Sequence, residues 1–147
     1  MTWLLLGLFL QMTDCPMHHQ HMVDARHDTF GMSHETTQHS FRLFADGGAI
    51  ELRGTPKEMI EKHMRAVVSD FSRGDFAKPL FVHGVMPDGA ARMKELGDAI
   101  AYTFEELPDG GRIRITTTNA DALKAVHDFL RFQIKDHGTK DSGTIEH

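Results

Sequence analysis

Residues 41–53 read Phe-Arg-Leu-Phe-Ala-Asp-Gly-Gly-Ala-Ile-Glu-Leu-Arg, and residues 102–117 read Tyr-Thr-Phe-Glu-Glu-Leu-Pro-Asp-Gly-Gly-Arg-Ile-Arg-Ile-Thr-Thr. Each stretch is an alternating apolar run, an Asp-Gly-Gly turn and a second alternating run, the pattern of a β-hairpin with one buried face. The offset between the turns is 109 − 46 = 63, and it holds beyond them. Phe41 falls on Phe104, Ile50 on Ile113, Leu52 on Ile115, Ile60 on Leu123, Val67 on Leu130 and Phe71 on Ile134. Six matches at one offset point to a duplicated β-β-α unit.

With Asp46-Gly47 as a two-residue type I′ loop, Leu43 pairs with Ile50 and Phe41 with Leu52 on one face, and Arg42 pairs with Glu51 on the other. The second hairpin then sets Phe104 opposite Ile115 inside and Glu105 opposite Arg114 outside. A helix follows each hairpin. Lys57 to Arg73 carries Ile60, Met64, Val67, Val68 and Phe71 at helical spacing before Gly74; the second helix, capped by Asn119, carries Leu123, Val126, Leu130 and Ile134. The fold class is therefore α+β: a two-layer sandwich, with an antiparallel sheet from two Asp-Gly-Gly hairpins covered by helices on one face. A sheet covered on one face leaves the other open to pair with a second copy of the chain. The connector over residues 74–99 reads as an extended piece at Leu80 to His83, a turn at Pro87-Asp88-Gly89 and a short helix at Ala90 to Leu96.

The rest of the 147 residues divides simply. Residues 1–14 form a signal-like apolar leader, residues 15–33 a flexible His-, Met- and Cys-rich segment, residues 34–137 the duplicated domain, and residues 138–147 a polar, disordered tail. The apolar run Trp3 to Leu10 is too short to span a bilayer but long enough for the hydrophobic part of a signal peptide, which points to a periplasmic or secreted protein. Sixteen Lys and Arg against 21 Asp and Glu give a net charge of −5. No basic face remains for a phosphate backbone, which argues against a nucleic-acid partner.

Histidine is the compositional outlier. Of 11 in the chain, His18, His19, His21, His27, His34 and His39 precede the first hairpin. The octet Cys15-Pro16-Met17-His18-His19-Gln20-His21-Met22 combines soft sulfur donors, which favour Cu(I), with imidazoles, which suit Cu(II), zinc and nickel. Its metal candidates are Cys15, Met17, His18, His19, His21 and Met22. The run Cys15-Pro16-Met17-His18 resembles the opening of the heavy-metal-binding domain of copper and silver efflux adaptors and P-type ATPases, which begins Cys-Pro-Met-His-Pro. The resemblance covers four residues, with His19 where that family has proline. The family's second half, Cys-Pro-x-Cys-Gly-Met, is absent from a chain with one cysteine. What the resemblance implies is metal ligation by Cys15, Met17 and His18, copper as the cargo, and a partner in export or efflux.

Strand parity supplies a second candidate site. His39 shares the inward parity of Phe41 and Leu43, and Tyr102 stands at the equivalent place in the second copy. His63 lies one turn from Ile60 and Val67, and His127 lies between Leu123 and Leu130. Inward imidazoles must be neutral or hydrogen-bonded. These residues, with Tyr102 or Met64 as a further ligand, would build a core metal site or ligate a haem lying against Phe41, Phe71 and Phe104, and His83 and His137 are further candidates whose orientation no pattern fixes. Covalent haem attachment is excluded, since no Cys-x-x-Cys-His occurs. His34 and His39 are five apart, which breaks the zinc-protease spacing, and no nucleophile elbow, phosphate-binding loop or dinucleotide fingerprint is present. Catalytic residues are therefore not assigned. The expected function is an exported metal-binding protein, a copper binder or carrier, with a core haem or metal cofactor as the alternative.

Overall fold

The computed structural model describes residues 15–147; the signal-like run Trp3 to Leu10 lies outside the described residues. In chain order the elements are α1 (Pro16–Asp28), β1 (Thr37–Phe44), β2 (Gly47–Gly54), α2 (Lys57–Ser72), α3 (Ala77–His83), α4 (Ala90–Glu95), β3 (Ile100–Leu107), β4 (Gly110–Thr117), α5 (Ala120–His137) and the short β5 (Ile145–Glu146). The sheet order is β3-β4-β2-β1-β5, antiparallel except where β5 joins β1 in parallel. The molecule is the α+β sandwich that the hairpins imply. The duplication extends to the strand ends: adding 63 to the bounds of β1 and β2 yields those of β3 and β4. The two copies meet where β2 pairs with β4, with Ile50 opposite its own equivalent Ile113, so a pseudo-two-fold axis passes between those residues.

The hairpin register differs from the expected one. Phe41 pairs with Ile50 and His39 with Leu52, while Phe104 pairs with Ile113 and Glu105 with Arg112. The loops are Ala45-Asp46 and Pro108-Asp109, and the first glycine after each aspartate opens a strand. Among the described residues none other than glycine has positive φ, so the type I′ loop is not formed. The glycines serve a different purpose: a Cβ on Gly47 would stand 1.9 Å from the Ile115 carbonyl oxygen, and one on Gly110 would stand 2.0 Å from that of Leu52. They let the two copies' central strands approach. Because the pairing moves by two residues, every side chain keeps its predicted face.

Leu43, Leu52, Ile113 and Ile115 from the sheet meet Ile60 and Met64 of α2 and Val126, Phe129 and Leu130 of α5 in a buried core. Asn119 caps α5 by accepting from the Ala122 N–H at 2.9 Å. Three expectations are corrected. Residues 16–28 of the segment read as flexible form α1, which starts at Pro16, buries Val23 and His27, and lies against α3 and α5. Leu80 to His83 is helical: Pro79 falls in the first turn of α3, where its missing N–H has no helical partner to lose, and Gly84 ends the helix in the left-handed conformation. The tail is tied down. Asp141 accepts from the Ser40 hydroxyl at 2.8 Å and the Phe41 N–H at 3.0 Å, Ile145 pairs with Leu43, and Glu146 pairs with Arg42. Among the described residues no helix is long and apolar enough to cross a membrane.

Candidate functional site

Five histidines from five elements converge beside β1: His27 of α1, His39 of β1, His63 of α2, and His83 and His137 at the ends of α3 and α5. Each is placed by a local rule. His39 has inward strand parity, His63 lies on the covered side of α2 next to buried Met64, and His27 lies one helical turn beyond buried Val23. Between ring centres, His27 and His39 are 4.4 Å apart, His39 and His137 4.5 Å, His83 and His137 4.9 Å, His27 and His63 5.7 Å, and His27 and His137 6.4 Å. His27 and His83 are buried; the other three are half-buried.

Desolvation dominates the electrostatics of His27, His39, His63 and His137. It holds His63 down at about 4 and His137 at about 3, and it lowers His27 and, further, His39; neighbouring imidazoles push in the same direction. Neutral imidazoles are what this environment selects at pH 7, and the neutral ring is the form that ligates metal. His83 is fixed differently. Its Nδ1 donates to Asp136, whose other oxygen lies 2.7 Å from His19 Nε2, and its Nε2 lies 2.9 Å from the Gln133 carboxamide; in a singly protonated ring this nitrogen can only accept, so it takes the amide NH2 end. Two buried atoms in this region have no partner among the described residues: His27 Nε2 and the other end of the Gln133 carboxamide.

Comparisons with known proteins return no matching family model, curated protein or solved structure. The site therefore rests on its own geometry.

Of the residues singled out in the sequence, His39, His63, His83 and His137 come together. His127 and Tyr102 do not join them. His127 is buried elsewhere, its Nε2 donating to the Phe44 and Gly47 carbonyls at 2.9 Å each, where it holds the β1-β2 turn. Tyr102 packs edge-on against Phe71 with its hydroxyl unpartnered, and burial pushes the phenol upward. Met64 is buried in the core and borders the same small pocket as the cluster. His27 was missed because residues 15–33 carry no apolar period; Pro16 as a helix start would have brought it inward with Val23. The leader ligands separate by face. Cys15, Met17, His18, His21 and Met22 are exposed along α1 and its start, while His19 turns inward to Asp136. Glu106, inward by parity, lies exposed at the sheet's end and pairs with Lys57 at 2.7 Å.

Two spaces adjoin the cluster. A solvent-open groove of about 610 Å³ has His27, His39 and His137 on one wall and polar residues such as Asp24, Gln38 and Lys140 on the others. A small pocket of about 70 Å³ borders all five rings and is otherwise mainly apolar. Among the described residues, no three His, Cys, Asp or Glu side chains already surround one point in metal-holding geometry.

Proposed function

We propose that the protein binds a transition-metal ion, copper first, at the converging histidines and serves as its binder or carrier. One observation carries this reading. The ring centres of His27, His39 and His137 form nearly a right-angled triangle with sides of 4.4, 4.5 and 6.4 Å, so the midpoint of the long side is 6.4/2 = 3.2 Å from all three. An ion about 2.0–2.1 Å from an imidazole nitrogen lies roughly 3.2 Å from that ring's centre. The spacing leaves room for a shared ion between two opposed imidazoles, and because His39 and His137 are stacked at 26° both rings must turn before their nitrogens face it. Metal uptake consists of turning the rings about their side-chain torsions to bring the nitrogens onto that point.

An all-imidazole set with a tetragonal arrangement suits Cu(II), which also heads the affinity order of divalent ions for nitrogen donors. The space fits an ion better than a haem. The pocket of about 70 Å³ is far below the roughly 300 Å³ at which pockets for larger organic ligands begin, and the larger groove is walled by polar side chains.

The outer face of α1 supports a second, softer site. Met17 with His21 and His18 with Met22 are pairs at i and i+4, adjacent on a helix surface, with the exposed Cys15 thiol at the helix start. This face would acquire Cu(I) and an export or efflux partner would receive it, in an exported protein with Trp3 to Leu10 as its signal. The test is metal content after desalting, with the paramagnetic resonance spectrum of the Cu(II)-loaded protein. One equivalent of Cu(II) with several nitrogen couplings is expected, lost in His39→Phe and in His137→Leu. Substituting Met17, His18, His21 and Met22 together should remove Cu(I) retention alone. Cu(II) retention equal in the wild type and His39→Phe would end the core reading.

A further inference from the structure

The solvent-open groove beside the cluster is walled by α1, the start of β1 and the chain just after α5. Two carboxylates face it. Asp24 accepts from the Gln20 carboxamide at 3.2 Å, and Asp141 accepts from the Ser40 hydroxyl, the Phe41 N–H and the Thr139 hydroxyl. Both are held by uncharged donors. His34, on the same wall, is paired with Asp28, so two carboxylates against the single ammonium of Lys140 leave the groove net negative. The imidazoles on its floor are unengaged as well. Among the described residues the ring hydrogen bonds belong to His19, His34, His83 and His127, and none to His27, His39 or His137. His27 is 5% exposed, and its buried Nε2 has no partner. A buried polar ring without a partner is costly unless a ligand supplies one.

We propose that the groove binds a small organic ammonium compound, whose N–H groups are accepted by Asp24 and by the free imidazole nitrogens of His27, His39 and His137. Each neutral ring keeps one lone pair without a proton, so three such rings and a carboxylate make a set rich in acceptors. That set selects a cationic, donor-rich head over an anion, which would meet Asp24 and Asp141, and over a sugar, which leaves the charge unanswered. The volume of about 610 Å³ lies within the roughly 300–1,000 Å³ of small-molecule sites. Lys140, exposed at the rim, opposes the ammonium. Binding of this kind needs no metal ion.

The test is a titration of the full chain, treated with chelator, with butylammonium, followed through the histidine ring resonances. Saturable shifts at His27, His39 and His137, with His127 unmoved, are expected. Asp24→Asn should weaken binding about tenfold, the range of one charge-assisted hydrogen bond. Lys140→Ala should tighten it about threefold, as for an exposed charge; because its site is exposed, this variant keeps the test decisive should Asp24→Asn fail to fold. Butanol, the same chain without the charge, should bind about tenfold more weakly. The absence of a saturable shift overturns the proposal. So does butanol binding as tightly as butylammonium, an affinity unmoved by both substitutions, or glucose or acetate binding in place of the ammonium. Each of these outcomes leaves the metal reading standing, since copper retention is measured on separately loaded protein; copper retention that fails while butylammonium binds overturns the metal reading alone.

Discussion

His63 and His137 set the pH response of the molecule. In the unfolded chain each titrates near the ordinary 6.5; in the folded protein they are held at about 4 and about 3. Between those limits the unfolded chain binds protons that the folded one refuses, so stability falls as pH drops from above 6.5 and levels off below about 3. His27 and His39 are lowered too and add to the slope. The one histidine raised, His34, is bonded to Asp28 and contributes the opposite sign, weakly, because it is exposed. A tenfold difference in proton affinity between the folded and unfolded chain amounts to about 1.4 kcal/mol, reduced here because His63 and His137 are only half-buried. Denaturant midpoints measured at intervals from pH 7.5 to pH 4 should fall steadily, before most carboxylates titrate. His137→Gln should flatten the curve without lowering stability at pH 4. A midpoint unchanged across that range would mean the rings are solvated.

At the scale of elements, the features legible in the sequence are those held by apolar periodicity. Both hairpins and both long helices are where pattern puts them, and the inward parity of His39 and the covered position of His63 follow from the same reading. The features that escaped are held by polar or single contacts. Helix α1 buries only Val23 and His27, and His19 anchors it to Asp136; no hydrophobic period exists for that to be seen. Helix α3 hides because Leu80-Phe81-Val82 has strand composition, while its helical state is decided by Pro79 and Gly84 at its ends. The register moved because the glycines answer to a neighbouring strand that a hairpin rule does not contain. These differences predict where the molecule opens first. Asp136 joins α5 to both α1, through His19, and α3, through His83. Asp136→Asn removes the charge from both bonds, which should weaken the docking of α1 by about 1–2 kcal/mol. Hydrogen exchange would show it as faster exchange over residues 19–28 with α2 unchanged. Equal acceleration across the whole chain would show instead that α1 is part of the global folding unit.

Across the whole molecule, the candidate site lies where the duplication is broken. The pseudo-two-fold axis carries His39 onto Tyr102 and His63 onto Val126, since 39 + 63 = 102 and 63 + 63 = 126. In the second copy Tyr102 packs on Phe71 and Val126 is completely buried, so the same two positions there serve the core alone. The first copy departs further: α1 covers its end and β5 extends its edge. The scaffold is shared and the imidazoles are not, which argues that the histidines of the first copy are kept against the packing preference of their own fold. On that argument, giving the first copy the residues of the second, His39→Tyr with His63→Val, should leave a folded protein, since each replacement already fits the equivalent place. Its stability at pH 7 should stay within about 1–2 kcal/mol of the parent, the range of a volume-tolerant core change. The fall in stability towards pH 4 should be shallower, because two groups that refuse protons are gone. Copper retention should drop to the level of His39→Phe. A thermal melt at two pH values together with a copper titration would decide it: a variant that folds, keeps the parent's acid sensitivity and still binds copper would mean that His39 and His63 belong to the packing and not to the site.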